Sequence, residues 1–437
     1  MATLYLTEIC QLLTMAGPDA VEPTGVGGDA AAYDRAEAAL GVVSDGCVVI
    51  TDGKIRYAGP RGKAPAKETL PGPVIHESAG GRLVSPGLID PHTHLIWAGE
   101  RSLEFDLRNR GVSYQEIQAR GGGILSTVRA TTQASDEQLQ QGLLRRLAAA
   151  RSQGITSCEV KTGYGLYPEA ELRLLRLIAQ AARQSTGAVA PTFLCHVPPP
   201  QLDGPADRQR FVDELIAAIP RARALGATSV DVYCDVGAFS LAETTRILQA
   251  GQTCGLLLRC HAEQFTHTGA AERAAQLGAR SVEHLEEIDE AGITALAQGK
   301  VVAHLLPGAV VTLRLRWPDA RRLIRAGVRV ALGSDCNPGS SQTQSLPLMM
   351  SLACTQMGLS AAEAWLAVTR QAAWSLDMPD TGTLMPGARG DLVLWNAESY
   401  REVCQRLGDP LVYATYVNGR PEPAAPAAPG DHAAEPA

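Results

Sequence analysis

The sequence predicts an α/β fold, namely a (β/α)8 TIM-like barrel with a small β-sandwich domain built from both chain ends. In the middle of the chain, strand-like segments alternate with helical segments, and such alternation indicates a parallel sheet. Strand-like segments recur near both chain ends, where they have only one another as partners. The length of 437 residues suits a barrel of about 250 residues plus a smaller unit.

The predicted domain limits follow from this pattern. Residues 1–85 and 380–420 are assigned to the small β-domain, and residues 86–379 to the barrel. Residues 421–437 consist mostly of Pro and Ala, so we expect them to form a disordered tail.

The terminal segments contain the pattern of a small sheet. Two strand-like runs, Val48 to Ile50 and Ile55 to Ala58, flank Asp52-Gly53 and predict a hairpin. The segment from Gly17 to Asp34 is rich in Gly, Pro and Ala and is predicted to be a loop. Near the other end, strands are predicted within residues 382–395 and 412–419, and we expect them to pair with the N-terminal strands.

The central segments supply eight strands, which is the number in a (β/α)8 barrel. The predicted strands are Leu88 to His94, Ile155 to Lys161, Ala190 to His196, Ser229 to Cys234, Leu256 to His261, Ser281 to Leu285, Val301 to Leu306 and Arg329 to Asp335. The predicted helices are Asp136 to Gln153, Pro168 to Gln184, Asp207 to Leu225, Leu241 to Gly251, Gly269 to Leu277, Asp289 to Gln298, Asp319 to Ala326 and Ala361 to Leu376. An open doubly wound sheet is the rival fold, but no G-x-G-x-x-G motif follows any of these strands.

The composition argues against several kinds of partner. The net charge of −7 and the absence of Lys/Arg runs argue against nucleic-acid binding. No run of 18 apolar residues occurs, so no membrane span is expected, and the N-terminus lacks the pattern of a secretory signal. The 10 cysteines form no Cys-x-x-Cys pair, which indicates reduced thiols and a cytoplasmic location.

A His-x-His pair, His92 and His94, ends the first predicted barrel strand. On a strand, residues i and i+2 point to the same face, so the two imidazoles can face one point. Alone, the pair is a weak motif match. However, five of the nine histidines fall at predicted strand ends. In a barrel these ends lie on the face that holds the active site. Besides the pair, the residues at these ends are Lys161, His196, His261, His284 and Asp335.

This set of side chains predicts a catalytic metal site. A mixture of histidines and one carboxylate suits Zn or Fe(II) better than Mg. We predict that one divalent ion is bound by His92, His94, His261 and Asp335. Three histidines and an aspartate leave room for a water molecule, whose pKa the metal would lower.

Several stretches then identify a family. The motif from Pro86 to His94, together with His261 and Gly333-Ser-Asp335, resembles the amidohydrolase superfamily. Longer stretches resemble the imidazolonepropionase family within it, namely Ala98 to Phe105, Gly121 to Ala130, Glu159 to Leu166, Pro191 to Leu194 and Asp335 to Ser340. The resemblance implies hydrolysis of the cyclic amide of 4-imidazolone-5-propanoate to N-formimidoyl-L-glutamate by a metal-activated water, in L-histidine catabolism. It also implies one Zn or Fe ion per subunit and a homodimer.

The resemblance also implies roles for individual residues. The propionate of the substrate needs a cation, and Arg101 fits because a guanidinium binds a carboxylate through two parallel hydrogen bonds. Further substrate contacts are implied for Tyr114, Tyr164, His196, Gln264, Asn337, Gly339 and Ser340.

The catalytic residues implied are Asp335, His284 and Gln264. Some relatives carry Glu at the position of Gln264. An amide cannot act as a general base, so proton transfer is expected to fall to Asp335 and His284. Lys161 is expected to lie outside the ligand set, and the spacing before His196 is one residue shorter than in the family.

Two rival functions remain open. An aromatic deaminase of the same superfamily usually carries a Glu where this chain has Gln264, and it has no use for a carboxylate-binding Arg101. The other rival is a metal-free barrel that only binds ligands, which should lack some of the metal-ligand residues. Release of ammonia would indicate the first rival, and absence of bound metal the second.

Overall fold

The computed structural model describes residues 2–19, 28–112, 116 and 121–423. The strands, in chain order, are β1 (Thr3–Leu13), β2 (Val42–Thr51), β3 (Lys54–Pro60), β4 (Val74–Pro86), β5 (Leu88–Asp90), β6 (Ile155–Lys161), β7 (Ala188–Cys195), β8 (Ser229–Cys234), β9 (Leu257–Ala262), β10 (Ser281–His284), β11 (Val302–Leu305), β12 (Arg329–Leu332), β13 (Leu392–Trp395), β14 (Val412–Val417) and β15 (Arg420–Pro421).

The helices lie mostly between the barrel strands. They are α1 (Gly28–Leu40), α2 (Ser102–Asn109), α3 (Ile124–Gln133), α4 (Asp136–Ser152), α5 (Pro168–Gln184), α6 (Gly204–Ala224), α7 (Leu241–Thr253), α8 (Ala270–Gln276), α9 (Glu290–Gly299), α10 (Pro307–Leu313), α11 (Ala320–Arg325), α12 (Leu346–Gln356), α13 (Ala361–Ala367), α14 (Arg370–Leu376) and α15 (Tyr400–Gln405). Over the described parts of the chain, none of them has both the length and the hydrophobicity needed to cross a membrane.

The eight strands β5 to β12 form one parallel sheet in which their order follows the chain. The edge strands β5 and β12 meet just beyond their ends, where the N–H of Asp335 donates to the carbonyl of His92 over 3.0 Å. The N–H of His94 likewise donates to the carbonyl of Cys336 over 3.0 Å. These bonds bring the edges of the sheet together, and the predicted barrel is confirmed.

Two of the predicted strands end at least three residues earlier in the structure. The strand predicted to reach His94 ends at Asp90, and the strand predicted to reach Asp335 ends at Leu332. Beyond these points the backbone bonds across the seam instead of continuing a regular ladder. The histidine pair and the aspartate therefore lie in the first residues after the strands.

Helix α5 shows why the outer helices pack on the barrel. Pro168 lies in its first turn, where a missing backbone N–H costs nothing. Leu172, Leu175 and Ile178 recur at helical spacing and are buried. Helix α4 begins with a capping box in which Ser135 and Gln138 satisfy each other's backbone N–H groups.

The strands from both chain ends form one seven-stranded mixed sheet of order β15-β14-β13-β4-β1-β2-β3. The C-terminal strand β13 pairs antiparallel with β4, with Leu392 opposite Pro86. Strands β2 and β3 form the predicted hairpin, and both Asp52 and Gly53 have positive φ in its turn. A second β-unit made from both chain ends is therefore confirmed. Its division from the barrel at residues 86 and 379 stays a prediction.

Two helical segments differ from expectation. Helix α1 begins at Gly28, inside the predicted loop, and buries Ala36 and Leu40. The helix predicted from Ala361 to Leu376 is two helices, α13 and α14. They separate where the carbonyl of Val368 accepts a hydrogen bond from the N–H of Ile89 over 2.8 Å, which is a tertiary contact that spacing in the sequence does not reveal. Of the predicted tail, residues 424–437 lie outside the described residues, and Arg420–Pro421 form β15.

Candidate active site

Three of the four predicted metal ligands converge at the seam of the barrel. The Oδ1 atom of Asp335 lies 3.3 Å from Nε2 of His92 and 3.3 Å from Nε2 of His94. All three side chains are buried. The seam hydrogen bonds explain this convergence, because they place the residue after β12 beside the residues after β5.

The fourth predicted ligand lies in the same group of rings. His261 is in β9, and its ring centroid is 4.6 Å from that of His92 and 5.6 Å from that of His94. His284, at the end of β10, follows with a centroid 5.4 Å from His261. The backbone of His284 has φ of 80°, a strained value for a residue other than Gly.

Unpaired nitrogen atoms test whether these residues fit a metal ion. Among the described residues, the buried Nε2 atom of His261 and the buried Nδ1 atom of His94 have no hydrogen-bond partner, and Nε2 of His92 forms no hydrogen bond although Asp335 lies 3.3 Å away. A buried polar atom without a partner costs free energy, so several in one cluster call for a ligand. Burial lowers the pKa of His92 to about 4, which keeps the imidazole in the neutral form that binds metals. The donor set therefore fits a divalent ion.

Two carboxylates orient the histidines from behind. The Oε2 atom of Glu283 lies 2.7 Å from Nδ1 of His92, and Oδ2 of Asp231 lies 3.0 Å from Nδ1 of His261. A carboxylate at Nδ1 fixes the tautomer of the ring and leaves Nε2 for a metal. Neither acidic residue was predicted from the sequence. Each is a carboxylate within a predicted buried strand, which is the signal that could have identified it.

Lys161 lies below the histidines, inside the barrel. Its Nζ atom is 2.7 Å from Asp231, 2.8 Å from Glu159 and 3.0 Å from Glu283. Burial lowers the pKa of Lys161, but the three carboxylates outweigh burial and raise it above its usual value. Lys161 therefore carries its charge in the barrel interior.

The predicted substrate residues His196 and Tyr164 lie beside the histidine cluster. The ring of His196 stacks on that of His94, with centroids 5.6 Å apart and an interplanar angle of 22°. The Tyr164 centroid lies 5.8 Å from His196 and 6.1 Å from His94. Despite the shorter spacing before it, His196 reaches the site, and its Nδ1 is 3.1 Å from the carbonyl of Gly163.

The loop after Asp335 is organised by Asn337. The Asn337 Oδ1 atom accepts from the N–H groups of Gly339 and Ser340, each over 2.8 Å, and its Nδ2 donates to the carbonyl of Asp335. The Ser340 hydroxyl also donates to Oδ2 of Asp335 over 3.4 Å. These bonds hold the three predicted substrate residues in one rigid turn.

Arg101 lies against this turn. A Cβ atom at Gly339 would come within 2.2 Å of Nη1 of Arg101, so only Gly leaves room for the guanidinium. The carboxylate of Glu104 lies 2.8 Å from Nη2 of Arg101 in a largely buried ion pair. Arg108, which the sequence reasoning missed, donates to the carbonyl of Gly339 over 2.9 Å. Tyr114, a further predicted substrate residue, lies outside the described residues.

Gln264 is held by a residue that was not predicted. The Tyr233 hydroxyl donates to Oε1 of Gln264 over 2.8 Å, and the Tyr233 ring lies 5.7 Å from His261. This bond leaves the Nε2 group of Gln264 free to act as the donor. The neighbouring Glu263 is turned away, where it accepts from the backbone N–H of Thr268 over 2.8 Å. Tyr233 lies near the end of a barrel strand, and this position could have identified it from the sequence.

The sequence is similar to that of a known enzyme family and to several of its members. A model of the amidohydrolase family matches residues 83–421. The imidazolonepropionase of Myxococcus xanthus is 42% identical over 379 residues, which cover 86% of this chain and 89% of that protein. The imidazolonepropionase of Rubrobacter xylanophilus is 43% identical over 383 residues, which cover 87% and 91%.

A solved structure extends the likeness to the fold. The guanine deaminase of E. coli superimposes with a TM-score of 0.69 over 96% of this chain and 98% of that one. Because the sequence identity is 16%, this likeness shows a shared fold alone and carries no argument about the substrate. The chain therefore belongs to the amidohydrolase family and, within it, to the imidazolonepropionases.

Proposed function

We propose that this protein hydrolyses the cyclic amide of 4-imidazolone-5-propanoate to N-formimidoyl-L-glutamate, in L-histidine degradation. The observation that carries the proposal is the convergence of His92, His94 and Asp335 at the seam, with the ring of His261 tilted against that of His92 at a centroid distance of 4.6 Å. The relatives that bear the name imidazolonepropionase support the choice of substrate.

The proposed ligand set for one divalent ion per subunit, Zn or Fe, is His92, His94, His261 and Asp335. Such an ion would supply a Lewis acid that polarises the amide carbonyl and lowers the pKa of a water molecule. The supporting observation is the group of buried imidazole nitrogens without hydrogen-bond partners. Glu283 and Asp231 keep His92 and His261 in the required tautomer.

Substrate binding is assigned to the residues around Arg101. Its guanidinium would bind the propionate of the substrate, partly replacing Glu104 as its partner. The turn at Gly339 and Ser340 borders the same space, and its shape is set before the substrate arrives. Pre-set geometry of this kind lowers the entropy lost in the reaction.

The aromatic residues would hold the imidazolone ring. The supporting observation is that the rings of His196 and Tyr164 lie 5.6 Å and 6.1 Å from that of His94. Tyr114 keeps its place in the proposal from the family resemblance alone.

Chemistry at the amide is assigned to three side chains. His284 faces the cluster and would stabilise the negative charge that develops on the carbonyl oxygen when water adds. Asp335 would take a proton from that water and deliver it to the ring nitrogen as the C–N bond breaks. Gln264 cannot transfer a proton, so its role is to orient the substrate through its Nε2 group.

The product separates this proposal from its main rival. Purified enzyme with its metal content determined would be mixed with 4-imidazolone-5-propanoate, and loss of the ultraviolet absorbance of the ring would be followed. Formation of N-formimidoyl-L-glutamate supports the proposal. Release of ammonia from an aminated heterocycle, with no turnover of imidazolonepropionate, would identify a deaminase instead.

The proposal extends to the setting of the enzyme. We place the reaction in the cytoplasm, as a homodimer that acts on a small molecule and needs neither nucleic acid nor membrane. Light scattering on the eluting peak of a size-exclusion column would give the subunit number, and a monomer would remove the dimer from the proposal.

A further inference from the structure

The interior of the barrel below the histidines is charged. Glu159, Asp231 and Glu283 are fully buried and surround the ammonium of Lys161 within 3.0 Å. Barrel interiors are usually filled by branched apolar side chains, and buried charges are costly unless they are paired. Because burying these charged groups costs free energy, we expect the cluster to have a function.

Two oxygen atoms connect this cluster to the histidines. The same Oε2 atom of Glu283 lies 3.0 Å from Nζ of Lys161 and 2.7 Å from Nδ1 of His92. The same Oδ2 atom of Asp231 lies 2.7 Å from Nζ of Lys161 and 3.0 Å from Nδ1 of His261. One ammonium therefore contacts both carboxylates that orient proposed metal ligands.

Arg259, the other buried cation of this cluster, has different contacts. Arg259 lies 3.1 Å from Glu159 through its Nε atom, and its other nitrogens donate to Ser281 and to the carbonyl of Ser375. Its nearest approach to Glu283 is 4.0 Å, and it meets Oε1 instead of the oxygen that faces His92. Arg259 thus supports the base of the cluster without touching the two bridging oxygens.

We propose that Lys161 is a positioning residue of the metal centre, a built-in cation that holds Glu283 and Asp231 against His92 and His261 and closes the carboxylate cluster to a second metal ion. The inference rests on the proposed metal site and deepens it. Lysine has three donors and no acceptor, so it can satisfy several carboxylates at once without competing for the imidazole protons. Without it, the carboxylates repel each other and lose their fixed geometry.

The test measures metal binding instead of turnover. Metal-free wild-type enzyme and a Lys161→Met variant would be titrated with Zn²⁺ in competition with a chromophoric chelator, and bound zinc counted by mass spectrometry. We expect one ion per wild-type subunit. Loss of groups that orient metal ligands weakens binding by about 10- to 100-fold, and we expect this loss in Lys161→Met.

An Arg259→Met variant is the matched control, because it removes the other buried cation of the same cluster. We expect both variants to lose thermal stability, whereas Zn²⁺ affinity should change by less than about threefold in Arg259→Met, since it keeps the ligand-orienting contacts. Equal weakening in both variants, or wild-type affinity in Lys161→Met, would overturn the inference. So would two zinc ions in each wild-type subunit.

A second variant covers the case in which Lys161→Met does not fold. Glu283→Gln keeps the shape of the side chain but removes the charge that joins Lys161 to His92. It should weaken Zn²⁺ binding by about 10- to 100-fold, and unchanged affinity would contradict the inference. A wild-type protein that binds no zinc at all would instead refute the proposed metal site, so the two failures are distinguishable.

Discussion

The backbone N–H of Asp335 donates a hydrogen bond of 3.0 Å to the carbonyl of His92, across the seam between the last and the first barrel strands. The side chains of the same two residues meet at 3.3 Å. Closure of the barrel and assembly of the proposed metal site therefore depend on the same contact. The proposed ligands His92 and Asp335 come from opposite edges of the sheet, so an ion held by both would add to the closure of the barrel.

Metal removal should accordingly destabilise the whole fold. A ligand present at 100 times its Kd stabilises the native state by about 2.7 kcal/mol. We expect a chelator to lower the melting temperature and re-addition of Zn²⁺ to restore it, measured by calorimetry. The Asp335→Asn variant serves as the control, since it should show little response to either treatment. Identical melting of wild-type protein with and without chelator would argue against the site.

Replacement of Arg101 should weaken substrate binding. A hydrogen bond to a charged group contributes about 1.5–3 kcal/mol, which corresponds to a rise in KM of about 10- to 100-fold in Arg101→Met. Arg101→Lys should recover only part of the loss, because an ammonium lacks the planar fork. The control is Arg110→Met. Arg110 is exposed, lies just past the other end of helix α2 from Arg101, and pairs with Asp106. Equal KM values in Arg101→Met and wild type would remove the proposed carboxylate clamp.

Gly339→Ala should imitate the loss of Arg101. The added Cβ atom would lie 2.2 Å from Nη1 of Arg101, so the guanidinium must move away from the turn. We expect KM to rise while the melting temperature stays within a few degrees of wild type. Gly62→Ala is the matched control, because a Cβ atom there meets nothing within 4 Å. A Gly339→Ala enzyme with wild-type KM would show that Arg101 has no fixed place in binding.

Tyr233 is expected to act through Gln264. The net contribution of one hydrogen bond is about 0.5–1.5 kcal/mol, so Tyr233→Phe should lower kcat/KM by about 2- to 10-fold. In a Gln264→Ala background the same change should have almost no further effect, because its partner is gone. Tyr413→Phe, an exposed tyrosine, is the control. Fully additive losses in the double variant would mean that Tyr233 acts independently of Gln264.

The sequence predicted the barrel and its metal-ligand candidates because both leave local signals. Alternation of strands and helices marks each βα unit, and strand ends mark the active face. That is why His261 and Asp335 could be assigned without coordinates. The His-x-His pair was informative although His92 and His94 lie past the end of β5, because the seam bonds keep them on one side.

The features that the sequence did not predict become visible only through contacts between distant segments. Asp231 and Glu283 lie inside predicted strands, and only the closed barrel shows that both reach Lys161. The break before α14 likewise depends on a hydrogen bond to Ile89. The predicted loop from Gly17 to Asp34 overlaps the first turns of helix α1, which Asp29 anchors to α11 by ion pairs with Arg321 and Arg325. Local patterns cannot report such pairings.

Turnover of 4-imidazolone-5-propanoate, measured on enzyme whose metal content is determined in the same sample, tests the central claim most directly. The account predicts that the ultraviolet absorbance of the ring disappears, that N-formimidoyl-L-glutamate is formed, and that a chelator stops the reaction until Zn or Fe is restored. A fully metallated protein that leaves imidazolonepropionate unchanged would contradict the proposed substrate, and full activity in the absence of bound metal would contradict the proposed chemistry.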